Sequence, residues 1–200
     1  MPPKPNLCWL DYETTGFTDL DKKAVYDHKI LEIGMVVTDS DLKRIASLNL
    51  VIQHDVQALM PLCDDVVKEM HIKNGLFVEV GQSTLSLAEA EVIVIKFLED
   101  YGVGSKVSPL TGNGIHFDRT FMEVHMPALN QHLNYRQLDI SAVKEFIKTI
   151  APGLEPQKKR AHRAMDDIEE SIQEALYYRK LIAPALLAEL RKIQESGLSL

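Results

Sequence analysis

The segment Leu7 to Tyr12 (LCWLDY) is a short apolar run cut off by Thr14-Thr15-Gly16, the pattern of a buried strand that ends at a turn. Lys29 to Thr38 (KILEIGMVVT) and Arg44 to Gln53 (RIASLNLVIQ) read as two further strands, and the polar DSDLK between them as a hairpin. Leu62 to His71 is expected to be a helix. Ser86 and Glu89 make the capping box S-x-x-E, which opens a helix that runs to about Tyr101 and stops at Gly102. Inside it Leu87, Ala90, Ile93, Val94, Phe97 and Leu98 keep helical spacing.

The second half alternates. A short strand, Ser108 to Gly112, leads into a helix that begins near His116. A strand from Tyr135 to Ile140 then precedes a helix from Ser141 to about Ile150. After the loop PGLEPQKKR, a helix from about Ala164 to Leu181 buries Met165, Ile168, Ile172, Ala175 and Leu176. Pro184 is expected to break it, leaving Ala185 to Glu195 as a terminal helix. Three strands at hairpin spacing followed by β-α-β-α imply an α/β fold, a mixed sheet flanked by helices. Its 200 residues suit one domain, with a core from about 6 to 182 and a C-terminal helix from about 185 to 196.

Composition narrows the class. The chain is 46% hydrophobic and 26% charged, ordinary for a soluble globular protein. No apolar stretch approaches the roughly 20 residues that cross a bilayer, so no membrane association is expected. The opening MPPKPN runs almost directly into a strand, so no secretory leader is expected either. Cys8 and Cys63 have no metal-ligand spacing and read as reduced thiols of a cytoplasmic protein, with a mitochondrial or nuclear pool left open. The net charge of −7 speaks against a grip on long polyanions, which takes many Lys and Arg along the phosphates. The exception is Lys158, Lys159, Arg160 and Arg163 around His162, either a solvated loop or a small electropositive lip.

Candidate chemistry lies in the acids. Asp11 and Glu13 are two apart on a strand, so both side chains leave one face toward one point. Two such carboxylates repel unless a cation or proton lies between them. Asp118 stands in the first turn of a helix, where a lone Asp ordinarily complements the helix dipole. Gly112-Asn113-Gly114 before it points to a close backbone approach. His162 precedes Asp166 and Asp167 at the start of the last long helix, and helical spacing leaves both acids flanking the apolar stripe. Oxygen ligands without cysteine select Mg²⁺ or Mn²⁺. Two such ions hold the attacking and leaving oxygens of an in-line phosphoryl displacement, and a neutral histidine can take the proton of the attacking water.

D-x-E, then Asp at a helix start, then H-x4-D resembles the histidine-bearing branch of the DEDD exonuclease superfamily, and within it the oligoribonucleases. The strings LCDDVVKEMH, GNGIHFDRTFM, YRQLDIS and AHRAMDDIEESIQEALYYR carry that resemblance over nearly the whole chain. It implies a ribonuclease H-like five-stranded mixed sheet with helices on both sides. It makes Asp11, Glu13, Asp118 and Asp167 the ligands of two Mg²⁺ or Mn²⁺ ions and His162 the general base. It also selects Asp167 over Asp166 by the four-residue gap after His162. Tyr135, Arg136 and Ser141 match the family's cap on the terminal phosphate of a two-nucleotide substrate, the tyrosine coming from the other subunit of a homodimer. His71 stands where the family has a histidine near the substrate. Ser141 also reads as a helix N-cap, and Arg136 as an exposed strand charge.

The chain departs from that pattern at named places. The family's usual base-stacking tryptophan is Val66, and its usual GNS serine is Gly114. The first motif, DYETTGF, is nearer to proofreading-type exonucleases, with Phe17 the expected base-contacting wedge. The implied activity is 3′→5′ hydrolysis of short single-stranded RNA oligonucleotides to nucleoside 5′-monophosphates. The alternatives are a DEDD-type exonuclease that proofreads or trims DNA, and a catalytically silent nucleic-acid-binding module.

Overall fold

A computed structural model describes residues 5–16, 22–154, 156 and 163–195. Five strands form one sheet: β1 (Leu7–Thr14), β2 (Ile30–Thr38), β3 (Arg44–Val51), β4 (Pro109–Gly112) and β5 (Asn134–Asp139), in the order β3-β2-β1-β4-β5. β1, β2 and β3 are antiparallel neighbours, whereas β4 and β5 run parallel to β1. This is the expected mixed sheet. The hairpin spacing makes the first half; the β-α-β-α alternation makes the second.

Nine helices are present among the described residues. The first four are α1 (Lys22–Asp27), α2 (Val56–Leu59), α3 (Asp65–Lys73) and α4 (Leu76–Gln82). They are followed by α5 (Leu87–Asp100), α6 (His116–His125), α7 (Pro127–His132), α8 (Ile140–Ile150) and α9 (Ala164–Glu195). The two-residue period of β1 divides them. Cys8, Leu10 and Tyr12 face a core shared with Ala90, Val94 and Leu98 of α5, Phe121 and Met122 of α6, and Leu129 of α7. Trp9 faces the opposite side, against Ile140 of α8 and Ile168, Ile172, Ala175 and Tyr178 of α9. Asp11 and Glu13 follow Trp9 in that period and so leave β1 toward α9. A third cluster (Leu31, Leu59, Leu76, Phe77 and Val80) packs α2 and α4 against β2.

The capping box of α5 is formed as expected: Ser86 Oγ accepts from Glu89 N–H and the Glu89 carboxylate accepts from Ser86 N–H. Two helical readings differ. The expected helix from Leu62 to His71 is divided into a single 3₁₀ turn, Met60–Leu62, and α3. Between them Cys63 is extended and the Asp64 N–H donates to the Thr15 carbonyl, so the residue just past β1 takes an amide that a continuous helix would have kept. Pro184, in turn, lies inside α9 instead of ending it. A proline forfeits one amide donor, and at this exposed stretch water can satisfy the carbonyl left behind. Continuing the helix also keeps Ile182, Ala183 and Leu186 against Trp9, Leu138 and Val143 in an apolar groove of about 310 Å³. Cys8 is buried, Cys63 half-buried, and both are free thiols. Among the described residues no helix is long and apolar enough to cross a membrane.

Candidate active site

Three elements converge at the end of β1. Asp11 pairs across the sheet with Gly34, and Glu13 with Glu32. Gly34 admits α9: a Cβ there would lie 2.8 Å from Ala164 Cβ and 3.0 Å from Ile168 Cδ1, contacts tighter than real side chains tolerate. With the helix seated this closely, its first turn brings Asp167 over the strand. Carboxylate oxygens of Asp11, Glu13 and Asp167 lie within 4.8 Å of one another. Asp166 is exposed while Asp167 is half-buried, so packing makes the choice that helical spacing left open.

Asp118 reaches the same place from α6. It is buried, and its Oδ1 accepts the Tyr12 N–H at 2.9 Å, the amide between the two β1 acids. Gly112 allows that approach, since a Cβ on it would stand 2.9 Å from the Leu10 carbonyl.

Such crowding has a titration signature. Burial, and then the charges of Asp118, Glu13 and Asp167, hold Asp11 well above the ordinary carboxylate range. Burial, then Asp167 and Glu32, push Glu13 up to about 8. Burial raises Asp118 to about 7 against the opposing Tyr12 hydrogen bond. Carboxylates gathered in this way, three of them within 4.8 Å of one another, cannot all be ionised unless cations replace the protons. The donor set is all oxygen and fits hard divalent ions.

These acids form one wall of a cavity of about 660 Å³. Val66, Val67 and Met70 of α3 with Phe117 and Phe121 of α6 supply an apolar wall, and Asn113, Gly114 and Ser141 a polar corner. The corner is tied down from behind. Ser141 Oγ donates to Asn113 Oδ1 and accepts from Gly114 N–H, both at 3.0 Å. Asn113 Nδ2 in turn donates to Ser171 Oγ and to the buried Glu174. The N-cap of α8 is Asp139, which accepts the Ser141 N–H, so Ser141 is not the cap and its hydroxyl belongs to the cavity.

The remaining expected residues are placed as follows. His71 is fully buried, 3.9 Å from the Glu13 carboxylate, with Nε2 3.0 Å from the Thr14 carbonyl and its ring edge-on to Phe77. It is not among the described residues that line the cavity and stands behind Glu13. Tyr135 and Arg136 lie exposed on the edge strand β5, the guanidinium 5.2 Å from the tyrosine ring centroid, and neither is among the described lining residues. His162 and Phe17 fall outside the described residues, as does the basic run 158–160.

Sequence reasoning missed Glu32, Glu79 and the role of Arg163. Glu32 is 1% exposed and accepts from Arg163, from Asn49 Nδ2 and from Ala164 N–H. The signal was available: one charge in the otherwise apolar ILEIGMVV must be paired or functional.

Comparison with known proteins agrees with this geometry. A family model described as Exonuclease (RNase_T) matches residues 8–175. An oligoribonuclease of Nocardia farcinica is 39% identical over 183 residues, covering 89% of this chain and 82% of that protein. One of Chromobacterium violaceum is 40% identical over 178 residues, covering 88% and 94%. Among solved structures, a moderately thermophilic exonuclease I from Methylocaldum szegediense superposes with a TM-score of 0.63 at 16% identity. That likeness covers 88% of this chain but only 40% of the larger exonuclease I chain, and it speaks to the fold alone.

Proposed function

This chain belongs to the RNase_T exonuclease family, and from that premise we propose that it is a metal-dependent 3′→5′ exoribonuclease. Its substrates in this reading are short single-stranded RNA oligonucleotides, down to dinucleotides, and its products nucleoside 5′-monophosphates. The observation that carries the reading is the meeting of Asp11, Glu13 and Asp167 oxygens within 4.8 Å, with Asp118 lining the same cavity beside them.

Asp11, Glu13 and Asp167 would hold one Mg²⁺ or Mn²⁺, and Asp11 with Asp118 a second. Bound there, the two ions supply the positive charge that stabilises the attacking and leaving oxygens of the displacement. The residues do the rest. His162 takes the proton of the attacking water as that water's oxygen bonds to the terminal phosphorus. The bond from that phosphorus to the preceding nucleotide's 3′ oxygen breaks and that oxygen takes a proton from solvent, leaving a 5′-monophosphate and a shortened strand with a free 3′ hydroxyl. The apolar wall of Val66, Met70, Phe117 and Phe121 receives bases, and Ser141 faces the far phosphate; Arg136, exposed beside Tyr135 on the edge strand, would join it only across the interface with a second copy. Tyr135, three-quarters exposed on an edge strand, is available to a second copy, which supports a homodimer in which each subunit completes the other's cavity. Two free thiols suit the cytoplasm.

The test is a length series of 5′-labelled RNA, from two to about twenty nucleotides, incubated with Mg²⁺ and then Mn²⁺, with DNA of matching length beside it. Fastest turnover of the shortest RNA is expected. Faster cleavage of the longest DNA would hand the site to the DNA-directed alternative, and no metal-dependent cleavage of either would remove the enzyme reading. Sedimentation as a monomer at assay concentration would refute the shared cavity.

A further inference from the structure

β2 is buried along its whole length, yet it carries Glu32. A buried ion pair seldom stabilises more than well-packed apolar residues of similar volume, so its use here is better sought in geometry. Arg163 spends both edges of its guanidinium on fixed partners. Nε and Nη2 donate to Glu32 at 2.7 to 3.2 Å, and Nη1 and Nη2 donate to the two oxygens of Glu79 at 2.9 Å each. One side chain therefore bridges three elements: β2 through Glu32, α4 through Glu79, and α9, which it precedes. Its own carbonyl accepts the Asp167 N–H at 3.0 Å, so the turn that presents Asp167 hangs from the clamped residue.

Each end of the bridge leads to the cavity. Glu32 lies directly across the sheet from Glu13. On the other side, α4 packs against α3, whose Val66, Val67 and Met70 form the apolar wall. We propose that Arg163 is a positioning residue that couples the metal-holding acids to the substrate wall, fixing Asp167 to β2 through Glu32 and to α4 through Glu79. The inference rests on the two-metal reading above and concerns residues that reading leaves without a role.

The experiment compares wild type, R163K and E79Q. Mn²⁺ affinity is measured by electron paramagnetic resonance, fold by circular dichroism and melting, and kcat and KM on a short RNA. Lysine keeps the charge but cannot serve two carboxylate forks. R163K is expected to remain folded while binding Mn²⁺ about 10–100-fold more weakly, as when an outer-sphere partner of a metal ligand is lost. E79Q cuts only the arm to α4, so its KM should rise several-fold while Mn²⁺ affinity stays close to wild type. A folded R163K with wild-type Mn²⁺ affinity, even with a lowered melting temperature, overturns the proposal by showing a purely structural role. If R163K fails to fold, E79Q decides, and an unchanged KM overturns the coupling. Absence of Mn²⁺ binding by wild type would instead sink the two-metal reading itself, before any variant is compared.

Discussion

Consider replacing Glu13 with glutamine in protein stripped of metal. Burial and the neighbouring Asp167 and Glu32 charges move the Glu13 pKa from 4.5 to about 8. The difference, 8 minus 4.5, corresponds to on the order of 5 kcal/mol at about 1.36 kcal/mol per unit. Its sign follows from proton counting. Between the unfolded and folded pKa values the native state binds more protons than the unfolded chain, so stability falls as pH rises. There is no penalty below the unfolded value of 4.5, and most of it has accumulated by pH 8. Glutamine has nearly the same shape and cannot ionise. Metal-free E13Q should therefore match wild type at pH 4 and exceed it at pH 8 by roughly 2–4 kcal/mol, or roughly 5–15 °C of melting temperature for a chain of this size. The slope that remains in E13Q belongs to Asp11 and Asp118, which are raised in the same direction. The assay is thermal unfolding in EDTA at the two pH values, repeated with saturating Mn²⁺. With metal the order should reverse, because only wild type gains the full binding energy. A metal-free E13Q that is no more stable than wild type at pH 8 would show that the acids are not crowded in the folded protein, and the electrostatic argument for the metal site would fail.

Other outcomes follow from the same geometry. Asp11→Ala and Asp167→Ala should abolish hydrolysis with the fold intact by circular dichroism; retention of most metal-dependent activity would take those residues out of the reaction. His162→Ala should spare Mn²⁺ binding but slow turnover by roughly 10²–10⁴ in single-turnover kinetics, and an unchanged rate would mean that the water is activated otherwise. Gly34→Ala places a methyl group 2.8 Å from Ala164 Cβ. It should cost about 1–3 kcal/mol in urea unfolding and weaken Mn²⁺ binding through displacement of Asp167, so unaltered melting would refute the close seating of α9. Val66, 79% exposed at the cavity rim, offers no stacking surface. Val66→Trp should lower KM for a dinucleotide by the equivalent of about 1–3 kcal/mol with little change in kcat, and an unmoved KM would place the base elsewhere.

The sequence by itself determined what is local. The period of two on β1 sent Asp11 and Glu13 to one face, and the hairpin and β-α-β spacings set the mixed sheet. Ser86 and Glu89 marked where α5 begins, and the apolar stripe of α9 named Ile168, Ile172 and Ala175 as core. Each of these depends on residues within a few turns or pleats of one another, and those are the distances at which periodicity and capping speak. Only the tertiary structure decided which elements meet. Asp118 is set by the Tyr12 amide 106 positions away, and Glu32 is paired by Arg163 131 positions away. Packing also turned Asp167 inward in preference to Asp166, put His71 behind Glu13, gave the α8 cap to Asp139 and freed Ser141 for the cavity. Pro184 stayed helical because the surface beneath it still offered apolar contact. Those outcomes rest on desolvation and charge between segments that share no sequence neighbourhood, so a pattern read along the chain contains the acids but not the point in space where they converge.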